Sequence, residues 1–204
     1  MNRRILLLAA PALLVSPLSA QAQAPAAIVA RMEAYLNGLT TLQARFLQIA
    51  EAGGTATGTA LIWRPGRMRF DYDPPEPTLL VASYGQMMLL DRQLRQPTIV
   101  PISSTPLSVL LREPIRLSGE VQVTDVQQEG GFMRATIQRA RSPAEGSITL
   151  VFATDPMELR QWLVVDNQAR RTRVTLSEIR TGGRFDPELF AINDPRFLER
   201  ETAR

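Results

Sequence analysis

The stretch RMRFDY (67–72) alternates charged and apolar residues without a break, and it constrains the fold more than any other part of the chain. A period of two residues is typical of a β-strand with one wet face and one apolar face. Met68, Phe70 and Tyr72 therefore share one face of the predicted strand. The segment before it ends at the turn signal Pro65-Gly66, so the two segments are predicted to form an antiparallel hairpin.

Similar short segments recur along the rest of the chain, separated by turn-forming pairs such as Gly53-Gly54, Gly130-Gly131 and Asp155-Pro156. Short strands joined in sequence by tight turns favour an antiparallel sheet that curls, here with about eleven strands. The predicted strands span residues 40–51, 55–64, 67–72, 78–83, 87–91, 96–101, 121–128, 132–139, 147–154, 159–166 and 172–180.

Two segments depart from the strand pattern and are predicted to be helices. The first opens at Pro25 and ends at Gly38, with apolar residues at helical spacing. The second runs over residues 105–112, where Thr105 suits a cap and Pro114 prevents a long continuation. The stripe of the first helix consists of Ile28, Met32, Tyr35 and Leu39, with Leu36 beside it. The predicted fold class is therefore mainly β (α+β).

The N-terminus has the pattern of a secretory signal peptide. A basic segment (2–4) precedes an apolar run (5–18), and Ala20 and Ala22 form a small-x-small cleavage signal. Ala22 and Ala24 form a second such signal, but cleavage after Ala22 is favoured because Pro25 would directly follow the other cut. The alternative, a membrane anchor, is disfavoured because the run is short and is interrupted by two prolines. We expect residues 1–22 to be removed, which leaves a single domain over residues 23–204 in the periplasm. Because no cysteine follows the run, lipid attachment at a new N-terminal thiol is not expected.

Composition excludes several function classes. The chain has no histidine and no cysteine, so it lacks the residues of Ser-His-Asp and Cys-His triads and of His/Cys metal sites. Paired acids such as Asp71 and Asp73 lie at predicted strand ends, where Asp commonly forms local hydrogen bonds. The formal net charge is only +3, and the arginines are not clustered, so nucleic-acid binding is not expected. We expect a protein that is not an enzyme and has no cofactor.

The strands 79–82 and 87–90 are apolar on both faces, although the chain offers only two helices to cover them. Two interpretations remain open. In one, a helix and the curled sheet fill the interior with their own side chains. In the other, the helices are a lid over an apolar cavity that takes a hydrophobic guest. Flexible methionine side chains suit such a guest, and the candidates for lining the cavity are Met32, Met68, Met87 and Met88.

Arg64 stands at the corner before the alternating strand. If Ile62 and Arg64 face the same side as Met68, the guanidinium lies at the rim of an apolar interior and needs partners. Its five donors are well suited to the last carbonyls of a helix. The alternative is an arginine that is simply solvated on the surface.

The ordered blocks of the chain resemble a known family. They read "YLNGLTTLQARFLQ", "GTALIWRPGRMRFDYDPP", "STPLSVLLREP", "LRQWLVVDNQ" and "FDPELF". Together they resemble the LolA family, the periplasmic carriers of outer-membrane lipoproteins, over residues 26–197. The resemblance implies a strongly curved, incomplete antiparallel β-barrel with a helical lid over an apolar cavity for acyl chains. It also implies a monomer that accepts acylated lipoproteins from an inner-membrane ABC-type release complex. Delivery would be to an outer-membrane receptor of similar fold, where one is present, or to the membrane directly.

The resemblance also assigns roles to individual residues. Arg64 is expected to latch the lid by hydrogen bonding to its backbone, and Met68 to project into the cavity. Two departures are Tyr84-Gly85, where many relatives have Asp-Gly, and Met68, where some have an aromatic residue. The remaining expected cavity and lid residues are Met32, Leu36, Ile62, Phe70, Tyr72, Leu107, Leu110 and Leu111.

Two other function classes remain as alternatives. The first is a periplasmic lipid-sensing regulatory protein with the same half-barrel fold, although such proteins usually carry a second domain. The second is a carboxylate-dependent hydrolase, which the absence of histidine disfavours.

Overall fold

The computed structural model describes residues 20–192, with side chains from residue 25 onward. Within these residues, eleven antiparallel strands form one sheet, whose two edges do not pair with each other. The predicted number of strands and the mainly β class are confirmed. The expected signal peptide lies mostly outside the described residues, as does the end of the expected domain, residues 193–204.

The strands follow the predicted segments to within a few residues. Two α-helices accompany them, α1 (Ala20–Gly38) and α2 (Ser108–Leu111). The strands are β1 (Thr41–Ala50), β2 (Thr55–Trp63), β3 (Arg67–Tyr72), β4 (Thr78–Ser83), β5 (Gln86–Asp91), β6 (Gln96–Pro101), β7 (Val121–Glu129), β8 (Phe132–Arg139), β9 (Ser147–Thr154), β10 (Met157–Val165) and β11 (Arg171–Thr181).

The sheet has the order β6-β5-β4-β3-β2-β1-β11-β10-β9-β8-β7. The first and last strands of the chain are therefore neighbours at its centre, and β6 and β7 are its two edges. Residues 102–120, which include α2, connect these edges. Proline at two positions of β6 and a bulge between Val123 and Asp125 in β7 disfavour pairing with further strands.

The predicted start of α1 at Pro25 is wrong, because the helix begins at Ala20 and Pro25 lies inside it. Proline has no N–H group, so it leaves one carbonyl of the preceding turn without its helical partner. If the chain is cleaved after Ala22, however, Pro25 falls in the first turn of the shortened helix. The first-turn N–H groups of a helix have no partner within it, so proline is tolerated there.

The second helix is shorter than predicted and lacks the predicted cap. The hydroxyl of Thr105 donates to the Ile102 carbonyl oxygen (3.0 Å) and does not cap α2. The bonds that follow are of the tighter 3₁₀ type, including Ser108 N to Thr105 O at 3.2 Å. Four α-helical residues are left, and three of them, Val109, Leu110 and Leu111, are buried.

The apolar outer faces of β4 and β5 are covered by residues 185–192, a contact that the sequence did not reveal. Phe190 lies over them with its ring 5.8 Å from that of Trp63, and Nη1 of Arg69 donates to the Leu189 carbonyl oxygen at 2.9 Å. The outer-face side chains buried with Phe190 are Leu79, Val81, Met88 and Leu90. The two-sided strands therefore have α1 and α2 on one side of the sheet and the C-terminal segment on the other.

Candidate functional site

The inner face of the β2–β3 hairpin carries the four strand residues that the sequence nominated. Ile62 pairs with Met68, and Phe70 and Tyr72 pair with Ala60 and Gly58. Because opposed residues of an antiparallel pair project to the same face, the four side chains lie together. Their exposed fractions are between 1% and 9%, so all four are buried.

Aromatic contacts join this hairpin to the rest of the interior. The Phe46 ring of β1 lies 4.9 Å from Phe70 and 5.0 Å from Tyr72, and Trp162 of β10 lies 5.9 Å from Phe70. Sequence reasoning nominated neither Phe46 nor Trp162. The alternation of Leu42, Ala44 and Phe46 in β1 was a signal that could have found the first.

The helices cover this face from above. Met32 and Leu36 of α1 and Leu110 and Leu111 of α2 are almost fully buried, and Leu107 just before α2 is half-buried. All of them belong to one apolar cluster with the inner face of the sheet. The structure thus brings together the nominated residues of the two helices and of the β2–β3 hairpin. The candidate Met88 was wrong, because it lies on the outer face of the sheet and packs with Phe190.

The interior is apolar and filled by the protein's own side chains. A small cavity beneath the beginning of α2, lined in part by Val109, Val121, Ile137 and Ile148, has a volume of about 20 Å³. That is room for about one water molecule, whereas pockets that bury a drug-sized ligand measure about 300–1,000 Å³. A larger cavity of about 840 Å³ beside α2 is an open groove lined mostly by polar and charged residues such as Arg112. A large apolar guest would therefore need the helices to move away from the sheet to reach its inner face.

Arg64 joins both helices to the β2–β3 corner. Its Nη1 donates to the carbonyl oxygens of Leu36 and Leu39 (3.2 Å for Leu39) at the end of α1, and Nη2 donates to that of Arg112 after α2 (2.8 Å). The residue is 8% exposed. The guanidinium thus occupies the position expected from its donors, at the last carbonyls of the helices.

This position is electrostatically costly. Burial lowers the pKa of Arg64, and the nearby charge of Glu113 only partly opposes that effect. Its Nε atom has no hydrogen-bond partner within the described part of the chain. An unpaired buried donor costs about 1–3 kcal/mol, so the contacts that hold the helices down are not optimal.

Two further contacts hold α2 and the turn before it. The amide of Gly66 at the corner donates to the Leu111 carbonyl oxygen at 2.9 Å. On the other side, Arg139 of β8 donates to the Ser103 carbonyl oxygen and forms an ion pair with Glu145 at 2.9 Å. Sequence reasoning missed Arg139, because its partner lies in a loop that the strand pattern does not position.

Tyr72 closes one end of the aromatic cluster. Its hydroxyl donates to Oε1 of Gln48 at 2.7 Å. Burial, assisted by the charge of Glu76, raises the pKa of Tyr72 to about 12, although the bond to Gln48 acts in the opposite direction.

This shift predicts an alkaline loss of stability. Since the pKa of Tyr72 is raised in the folded state, its stabilising contribution is complete below pH 10 and is lost as the pH rises towards 12. We expect Tyr72→Phe to lose less unfolding free energy than the wild type between about pH 9 and about pH 11 in urea titrations. Tyr84→Phe, at an 82% exposed position, is the control. Equal losses in Tyr72→Phe and the wild type would contradict the prediction.

Nothing in the described residues resembles a metal centre. Between residues 25 and 192, no three acidic side chains are grouped so that they could hold a metal ion. Over the same part of the chain, no helix is both long and apolar enough to cross a membrane.

The structure has the arrangement expected from the sequence resemblance. Its antiparallel sheet is curved and unclosed, two helices cover the apolar face, and a buried arginine donates hydrogen bonds to both helix ends. The family model "Outer membrane lipoprotein carrier protein LolA" matches residues 37–193. The chain belongs to the LolA family. The match begins at the end of α1 and includes all eleven strands and α2.

Curated relatives from several bacteria bear the name outer-membrane lipoprotein carrier protein. That of Methylococcus capsulatus is 29% identical over 81% of this chain and 83% of its own length. That of Xylella fastidiosa is also 29% identical, over 92% of this chain and 89% of its own length.

A solved structure supports the fold alone. The DUF1329 family protein from Desulfovibrio piger superimposes with a TM-score of 0.52 at 10% identity, over 87% of this chain and 98% of its own.

Proposed function

We propose that this protein is a periplasmic chaperone that binds the acyl chains of lipoproteins released from the inner membrane and carries them to the outer membrane. The observation that carries the proposal is the apolar inner face of the sheet under two helices that Arg64 ties to one corner. The names of the curated relatives support it. Its action would be binding and release, with no chemical step.

The physical need for such a carrier follows from the hydrophobic effect. An acyl chain of about 16 carbons gains on the order of 12 kcal/mol on leaving water, at ~0.8 kcal/mol per CH₂ group. A lipoprotein with several such chains cannot cross an aqueous space unaided. The inner face of this sheet offers apolar contacts, and its aromatic cluster of Phe46, Phe70, Tyr72 and Trp162 would be exposed to the chains when the helices lift.

Release requires that the loaded state not be too stable. Loading would break the bonds of Arg64 and separate α2 from Gly66, and these bonds would form again when the cargo leaves. A ligand shifts an equilibrium only by its differential affinity for the two states, so the energy of the closed helices reduces the net affinity for acyl chains. The lid contacts would thereby make delivery reversible.

The proposed function also involves processing of the N-terminus and two membrane partners. Residues 1–22 would be removed as a signal peptide, so that a single carrier domain of residues 23–204 acts in the periplasm. It would accept cargo from an ATP-driven release complex of the inner membrane. It would deliver that cargo to an outer-membrane receptor, or to the outer membrane directly.

A release assay tests the function directly. The mature protein is incubated with inner-membrane vesicles that contain a labelled lipoprotein, its release complex and ATP. We expect the label to appear in a soluble one-to-one complex with this protein. The matched control is the same lipoprotein with its acylated cysteine replaced by serine, which should form no complex. Label that stays in the vesicles while an authentic carrier extracts it in parallel would overturn the proposal.

A further inference from the structure

Two side chains of α1 hold the segment that follows α2. The Asn37 side chain exchanges two hydrogen bonds with the backbone of Ile115: its Nδ2 donates to the carbonyl oxygen at 2.9 Å, and its Oδ1 accepts from the amide at 2.8 Å. One turn earlier, Oε1 of Glu33 accepts from the amide of Leu117 at 2.6 Å. We call these three hydrogen bonds the lid joint.

The lid joint differs from the Arg64 contacts in what it connects. Arg64 and Gly66 belong to the corner of the sheet, so their bonds hold the helices down. The lid joint connects α1 to the segment that follows α2 and involves no residue of the sheet. None of its three hydrogen bonds includes Arg64 or one of the carbonyl oxygens that Arg64 contacts.

Apolar packing supports the same connection. Ile115 and Leu117 are 1% and 2% exposed and lie in the same apolar cluster as Met32 and Leu36 of α1. Segment 113–117 is thus attached to α1 through its backbone bonds, while its side chains pack beneath. Because α2 ends immediately before this segment, it is tied to α1 as well.

We propose that Asn37 and Glu33 are positioning residues that keep α1 and α2 together, so that the lid opens as one body when the Arg64 bonds break. If the helices moved separately, acyl chains would leave the core through the gap between them. The proposal rests on the proposed carrier function for what opens the lid, but the joint itself exists independently of any cargo.

Backbone amides provide reporters for each contact. The Gly66 amide reports separation of α2 from the corner, whereas the amides of Ile115 and Leu117 report the lid joint. Their hydrogen exchange is measured in the empty protein and after loading with a synthetic triacylated lipopeptide, whose binding is measured separately. Loading should accelerate hydrogen exchange at the Gly66 amide by about tenfold or more. The exchange rates of the Ile115 and Leu117 amides should stay within about twofold of their values in the empty protein. Equal acceleration at all three amides would overturn the proposal.

Variants test the joint in the empty protein. Asn37→Ala should accelerate exchange at Ile115 by about tenfold without changing Gly66, and alanine preserves the helix because of its high helix propensity. Glu33→Ala should accelerate exchange at Leu117, whereas Glu33→Gln keeps the accepting oxygen and should not. Asn167→Ala, at an exposed turn position, is the control.

The two proposals can fail separately. If no lipopeptide binds, the carrier function is contradicted, and the empty variants alone decide the joint. If Asn37→Ala leaves exchange at Ile115 unchanged, the joint is overturned whether or not lipopeptide binds.

Discussion

Replacing Arg64 with leucine should give a protein that takes up lipoprotein readily and hands it on poorly. The wild-type side chain donates to three backbone carbonyl oxygens, those of Leu36, Leu39 and Arg112. Leucine makes none of these bonds, so the closed, empty state loses stability relative to the open, loaded one. Binding of acyl chains should then become tighter, and their release slower.

The size of the effect follows from the bonds that are lost. A hydrogen bond from a charged group contributes about 1.5–3 kcal/mol, but the burial cost of Arg64 cancels part of that gain. A net loss of about 1.4 kcal/mol would already change the loading equilibrium tenfold. We expect transfer from the purified complex to acceptor outer-membrane vesicles to slow by about tenfold or more, measured as the rate at which labelled lipoprotein sediments with those vesicles.

Two further variants separate the latch from general effects of charge. Arg64→Lys keeps the charge but not the planar guanidinium, so it cannot reach all three carbonyl oxygens. Its transfer rate should lie between those of the wild type and Arg64→Leu. Arg134→Leu removes an exposed arginine from β8 and should transfer cargo like the wild type. Urea unfolding of the empty variants checks that they fold. Normal hand-off by a folded Arg64→Leu protein would contradict the latch role.

Local sequence patterns predicted much of this site, because many of its residues lie in short segments whose pattern determines which face they occupy. The alternation of residues 67–72 placed Met68, Phe70 and Tyr72 on one face, and the register confirms that they pair with inward residues of β2. For Arg64, the residues alone left a solvated surface arginine open, because strand parity across the Pro65-Gly66 corner is not fixed. The resemblance to the LolA family assigned it to the helices, where it donates to several carbonyl oxygens.

The contacts that sequence reasoning missed are those between distant segments. Asn37 and Ile115 are 78 positions apart, and Phe190 reaches β4 and β5 only because the last strand lies beside the first. No periodicity marks such partners. The start of α1 and the extent of α2 were also wrong. The first helix continues before Pro25, and Thr105 bonds to the Ile102 carbonyl oxygen and does not cap α2.

Gly58 in β2 should tolerate no side chain, and Gly58→Ala is expected to cause the largest loss of stability among these variants. A Cβ atom built there would lie 2.1 Å from the Asp71 carbonyl oxygen and 2.6 Å from Cε1 of Phe46. The first contact is with backbone that pairs in the β2–β3 hairpin, and the second is with the ring that packs on Phe70 and Tyr72. Relief of both clashes would require the hairpin and the aromatic cluster to separate.

We expect Gly58→Ala to lower the free energy of unfolding by about 3 kcal/mol, because overpacking against backbone cannot relax by a rotamer change. The urea midpoint of the purified protein measures this loss. Gly54→Ala is the matched control, since a Cβ atom at Gly54 would meet nothing within 4 Å. A midpoint for Gly58→Ala equal to that of Gly54→Ala would mean that the hairpin moves freely against Phe46. In that case the aromatic cluster would not be a rigid surface against which α1 and α2 pack in the closed state.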